Sequence, residues 1–171
     1  NIITNTYEKD PLEPSYSYGS FNTHRTNVDM TKVFKNDIIV NINAFQNYSD
    51  NDYKVNVDVA DVNTGAYSRN QEVRRFHDQY HNETFIGSCG VINKSYADRL
   101  LFGITLGQVY NEIQTAQRLV RVFGQRHSRS NIIMPTLKYQ KKDLFVDGFD
   151  ASINANYNLG KEQVIDTVNR R

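Results

Sequence analysis

Residues 149–158, FDASINANYN, alternate apolar and small polar side chains without a break. Phe149, Ala151, Ile153, Ala155 and Tyr157 fall on one side of an extended chain; Asp150, Ser152, Asn154, Asn156 and Asn158 fall on the other. A period of two specifies a β-strand with one oily and one wet face. The oily side begins and ends with an aromatic ring, as expected of a strand whose outward face crosses a bilayer between two interfaces. The pattern recurs at hairpin spacing, and this recurrence constrains the fold more than any motif does.

Ile38, Val40, Ile42 and Ala44 oppose Asn41 and Asn43, with Tyr48 further along the oily side. Phe85, Gly87, Cys89 and Val91 form a weaker stripe. Leu100, Phe102, Ile104 and Leu106 form the strongest, ending at Tyr110 and backed by Gly103, Thr105 and Gly107. Ile133, Pro135, Leu137 and Tyr139 repeat the pattern, with Pro135 expected to mark a bulge. Tight turns are expected at residues 35–37, 93–98 and 141–147, where Asn, Asp, Ser and Lys cluster. Residues 1–14 read as a loop or entry segment, residues 15–33 as one long strand, and residues 111–129 as a basic connection with room for a short helix. Short turns of a membrane barrel lie on one side, so an even number of crossings must separate the first two turns. That parity moves residues 53–62 out of the wall, into an extension or a projecting hairpin, and leaves six crossings. The fold class expected is all-β, an antiparallel up-and-down meander forming part of a large transmembrane β-barrel, with residues 1–171 as a single segment of it.

Composition removes other classes. No stretch approaches the ~20 apolar residues of a spanning helix, and a mean hydropathy of -0.63 suits strands with only alternate residues facing lipid. A net charge of +1 gives no reason to expect nucleic acid. Cys89 has no internal disulfide partner and no metal-ligating neighbours. The chain opens at Asn1 with no methionine or signal peptide, and is read as a processed or excised piece with its targeting information elsewhere.

Several stretches carry a family resemblance: YGSFNTHRTNV from Tyr18, NAFQNYSDNDYKV from Asn43, RRFHDQYHNETF from Arg74, YADRLLFGITLG from Tyr96 and IIMPTLKYQKKDLF from Ile132. Together they resemble the β-barrel of TonB-dependent outer-membrane receptors, above all the large receptors of Bacteroidetes-type bacteria. The resemblance implies a barrel of roughly 22 strands, plugged by a separate globular domain and opened through the TonB complex. The implied activity is uptake of a scarce nutrient such as a metal chelate, cobalamin or a glycan. Its implied partners are outer-membrane lipid, the rest of the barrel with its plug, and a small nutrient ligand. The plug and the TonB-contacting segment are not among these residues.

The lipid-facing residues expected are Ile38, Val40, Ile42, Leu100, Phe102, Ile104, Leu106, Phe149, Ile153 and Tyr157. Arg74, Arg75, His77, Asp78 and Tyr80 are candidates to meet a ligand entering from the loop side. His77 and His81 lie about 13 Å apart on a strand at ~3.3 Å per residue, too far to share a metal. The basic residues Arg118, Arg121, Arg126, His127 and Arg129 suit a solvated loop or lipid phosphates better than nucleic acid. Tyr48 and Tyr110 suit an interfacial girdle. No nucleophile, metal set or phosphate loop is present, so no catalytic residue or cofactor is expected. The rival is a soluble ligand-binding β-barrel whose oily faces turn inward; a surface sheet without transport is a weaker third reading.

Overall fold

The computed structural model describes residues 12–61, 63–115, 122–123 and 125–167. Among these residues ten strands follow one another: β1 (Leu12–Gly19), β2 (Thr23–Val33), β3 (Ile38–Ser49), β4 (Lys54–Ala60), β5 (Tyr67–Arg74), β6 (Tyr80–Lys94), β7 (Ala97–Glu112), β8 (Arg126–Lys141), β9 (Ala151–Asn156) and β10 (Leu159–Asp166). One open sheet runs β1-β2-β3-β6-β7-β8-β10, with β9 also on β8, and β4-β5 form a separate hairpin. Every pairing is antiparallel. The chain is therefore an all-β antiparallel meander, interrupted by one hairpin excursion between β3 and β6. Of residues 53–62, Lys54–Ala60 form the first strand of that hairpin, and β5 takes residues that precede β6.

β9 and β10 keep a single register against β8, from Lys141↔Ala151 through Thr136↔Asn156 to Arg126↔Asp166. They are two halves of one strand, parted at Tyr157 and Asn158. Pro135 explains the break. The Tyr157 amide donates to the Pro135 carbonyl at 3.1 Å, and in an antiparallel ladder both backbone groups of a residue address the same neighbour. The N–H that proline lacks is thus the one that would have reached Tyr157. The bulge expected at Pro135 does not form, since the β7–β8 register runs through it unshifted.

Residues 15–33 are two strands rather than one. Phe21 and Asn22 adopt positive φ (61° and 52°) and close a tight hairpin between Gly19 and Thr23. Counting β9 and β10 together, the main sheet has seven strands among the described residues where six were expected. Phe149 lies in the β8–β9 turn, its ring 6.1 Å from Phe145, and not on a strand. Residues 12–14 are already strand; residues 1–11, the rest of the expected entry segment, lie outside the described residues. So do residues 116–121 and 124, on which the expected helix and the arginines Arg118 and Arg121 fall.

Register places the oily stripes side by side. Ile38, Val91, Leu100, Tyr139 and Ile153 form one cross-strand row, and Ala44, Phe85, Leu106 and Ile133 form the row three steps further on. This side is the exposed one: Phe102 is 58% exposed, Ile104 38%, Leu106 39% and Ile153 54%. The opposite side is half-buried in β7 and β8 although it is richer in polar groups. There Thr31 donates to Asn41, Asn41 to Ser88, and Asn43 to Asn27, at 3.0, 3.1 and 3.3 Å. Among the described residues only Ile39, Ala97 and Leu101 are buried apolar side chains. An accessible surface of 12816 Å² compares with about 8,600 Å² for a compact monomer of this mass.

The tight turns are linked along one rim. Lys94 pairs with Asp37 of the preceding turn at 2.8 Å, and Lys141 with Asp98 at 3.0 Å. Counted from the row that begins at Ile38, the midpoints of the three turns lie roughly 2, 4.5 and 7 residues away, a stagger of roughly 1.25 residues per strand. At ~3.3 Å per residue and ~4.8 Å between strands, the turns come level when the strands tilt by about 40°.

Candidate functional site

The site expected from sequence lies at the end of the sheet opposite the tight turns, where four connections meet. β3 ends at Ser49 and leads through Asp50–Tyr53 into the β4–β5 hairpin; the return passes through Arg75–Gln79 into β6. Arg75 sits at the centre. Its guanidinium donates to Asp78 at 2.7 Å, to the Tyr53 hydroxyl at 2.7 Å and to the Gln114 side-chain carbonyl at 3.3 Å. It also stacks over the Tyr53 ring, 5.2 Å from the centroid. The Arg75 and Asp78 side chains are only 15% and 16% exposed, and Gln114 is buried.

The network spreads from there. The Gln79 amide donates to Glu112 at 3.1 Å, and its side chain donates to the Tyr48 hydroxyl. Tyr48 donates to Asp50 at 2.7 Å, and Asn22 of the β1–β2 turn donates to the same carboxylate at 3.1 Å. Tyr53 meets Phe21 edge-on at 5.8 Å. Gln114 accepts the Phe123 amide, which binds in the β7–β8 connection. All four distal connections are thereby fastened to one another.

The five candidate residues do not form one site. Arg75 and Asp78 are joined, and both are spent on anchoring the hairpin base. Arg74 faces Asp52 at 2.5 Å on the exposed side of that base. His77, at φ 52°, meets the Phe76 ring edge-on at 5.5 Å and borders a crevice of 230 Å³ with Tyr110, Glu112 and His127. The Tyr80 hydroxyl accepts a hydrogen bond from Asn82. His81 is separate again, 3.1 Å from Glu83 and packed against Tyr48. Among the described residues no group of three or more His, Cys, Asp or Glu is placed to hold a metal. Sequence reasoning missed Gln114 and Glu112, whose roles depend on contacts 39 and 33 residues away.

Two expected results follow from this geometry. Arg75→Met removes three hydrogen bonds from a charged donor, which should loosen the hairpin base by about 1.5–3 kcal/mol. Faster amide exchange confined to residues 51–60 and 67–79 is the readout; unchanged exchange there would refute the anchoring role. Asp78 supplies a pH dependence. Burial pushes its carboxyl above the usual aspartate range, Arg75 opposes that shift, and nearby Glu112 reinforces it. A raised folded-state pKa favours the folded state below the unfolded pKa, and the advantage is lost as pH climbs through the raised value. Acidification should therefore stabilise the wild type relative to Asp78→Asn in paired urea titrations. A difference that is flat with pH would sink this assignment.

A second arrangement runs across the same exposed face beyond the oily rows. Tyr18 and His24 lie 5.0 Å apart, His24 and Tyr48 5.9 Å, and Tyr48 and His81 5.9 Å. The row continues with Tyr110, over whose ring Arg129 stacks at 5.6 Å. Between it and the oily rows lies a polar row containing Gln46, Glu83, Gln108 and Asn131. Tyr48 and Tyr110, expected in an interfacial girdle, both stand in this Tyr–His row.

Comparison with known proteins returns no matching family model, no matching curated protein and no matching solved structure.

Proposed function

We propose that the chain is a wall segment of a TonB-dependent receptor in a bacterial outer membrane, taking part in the uptake of a scarce nutrient and catalysing no reaction. The observation that carries this reading is the outward side of the sheet. Adjacent rows carry exposed Ile, Leu and Phe side chains, and a row of Tyr and His side chains follows them on the same face. In a soluble barrel those apolar residues would converge on a dry centre; here Phe102, Ile104 and Ile153 face outward on an open sheet. A contiguous patch of this kind exceeds what soluble monomers usually expose, whereas lipid covers it at no cost in unpaired backbone within a closed barrel.

The turn stagger supports the same reading, since a tilt of about 40° lies within the range of membrane barrels. The oily rows run square to the strands and so climb relative to the rim from β3 towards β9. Exposed Phe145, Val146 and Phe149 extend the apolar surface towards the rim at that end. Among the described residues β1 and β9–β10 are the edge strands of the sheet, and there the remaining barrel strands would continue the ladder. The polar side, lined by Asn, Ser, Thr and Gly, is the surface offered to a plug, and the fastened distal connections form the part of the mouth that a ligand passes.

Flotation tests the reading. The 171-residue chain, refolded from denaturant, should float with lipid vesicles and remain monodisperse only in detergent. A monodisperse detergent-free monomer with a cooperative melt would overturn the proposal in favour of a soluble β-protein.

A further inference from the structure

Two hollows adjoin on the outward face, and their chemistry is complementary. The first, of 570 Å³, is lined chiefly by Val28, Ala44, Phe85, Leu106 and Ile133 in the last of the oily rows. The second, of 400 Å³, lies immediately beyond it and is lined by His81, Tyr110, Arg129, Lys161 and Gln163. Gln108 and Asn131 line both, so the apolar hollow and the polar one share a border. We propose that this pair of hollows binds one anionic lipid, its acyl portion on the apolar floor and its phosphate between Arg129 and Lys161. The proposal rests on the membrane-wall reading above and adds a specific ligand to it.

Register sets the spacing of the two cations. Arg129 pairs with Gln163 and Asn131 with Lys161, which makes Arg129 and Lys161 diagonal neighbours on adjacent strands. Such neighbours stand about 7–8 Å apart at the backbone, so their long side chains can flank one phosphate. Arg129 is steadied over the Tyr110 ring, and a guanidinium offers paired donors to phosphate oxygens. No carboxylate is among the described residues that line the cationic hollow. Glu83, which borders the apolar hollow, is engaged by Gln108 at 2.5 Å and His81 at 3.1 Å. A free phosphate would use the cationic half alone; only an amphiphile uses both.

Native mass spectrometry of the chain in neutral detergent tests this with three probes: phosphatidic acid, phosphatidylcholine and inorganic phosphate. The expected result is one retained phosphatidic acid at least ten-fold in excess over phosphatidylcholine, with inorganic phosphate competing only at concentrations a hundred-fold higher. The double variant Arg129→Gln/Lys161→Gln should bring retention down to the phosphatidylcholine level while flotation and the β-sheet circular dichroism stay unchanged. If that variant does not fold, the salt dependence of wild-type retention serves instead: preference for phosphatidic acid should fall steeply with ionic strength. Equal retention of the two lipids, a folded double variant that binds as before, or inorganic phosphate displacing the lipid at equal concentration would each overturn the site. A wild-type chain that floats with no vesicle at all removes the wall reading and this site together. A chain that floats but does not discriminate between the lipids removes the site alone.

Discussion

Ile104→Arg should cost the chain about 2–4 kcal/mol when it folds into lipid vesicles, the range for a cation near the bilayer midplane. Ile104 stands in β7 among the oily rows, between Gly87 of β6 and Pro135 of β8, and its side chain is exposed on the outward face. An arginine there has no polar side chain beside it on either neighbouring strand and must either draw water inward or displace the strand. Thr105→Arg provides the internal control. Its side chain lies on the opposite face, which is the water-lined or plug-contacting side of the proposed barrel, where lumen substitutions are tolerated far better. Urea titrations of both variants in vesicles should separate them by more than 1 kcal/mol on the ~2–4 kcal/mol scale. Equal losses at the two positions would mean that the faces are assigned the wrong way round, and the wall reading would fall with the assignment.

The parts of this architecture that could be read from sequence are those governed by local period. In β3, β7 and β8 one face is apolar and the other polar, so the alternation fixes strand, register parity and facing together. Parity of crossings also moved residues 53–62 out of the wall, and β4 and β5 do form a separate hairpin. The β1–β2 hairpin was not legible because its left-handed positions are occupied by Phe21 and Asn22, and phenylalanine gives no turn signal there. Pro135 was recognised as a misfit, but its effect falls on the neighbouring strand at Tyr157, which local pattern does not reveal. The distal network was hidden for a different reason. Arg75, Tyr53, Gln114 and Glu112 share no spacing, and only the return of three separate connections to one place brings them together.

The glycines of the polar face show how sequence can flag a position and leave its cause open. Gly103 and Gly107 suggest close approach by another backbone or a ligand, yet the wall itself already supplies the crowding. A Cβ at Gly103 would meet Thr136 Oγ1 at 2.5 Å and the Gly87 carbonyl oxygen at 3.1 Å. Gly90 is tighter still. An added Cβ there would overlap the Leu100 carbonyl oxygen and lie 2.9 Å from Leu101 Cα. Both are backbone atoms of the partner strand, so no rotamer change relieves the overlap; the β6–β7 ladder itself must open. Gly90→Val should therefore destabilise the fold at or beyond the upper end of the ~1–3 kcal/mol typical of overpacking. Gly160→Val should cost much less, because the nearest atom to a Cβ there is the Asn158 side-chain oxygen at 3.4 Å. Urea midpoints of the two variants, with amide exchange at residues 88–92 and 99–103, check the contrast. A Gly90→Val chain as stable as the wild type would show that β6 and β7 do not pinch together at this point, and the β6–β7 register that places Ile104 on the outward face would need to be redrawn.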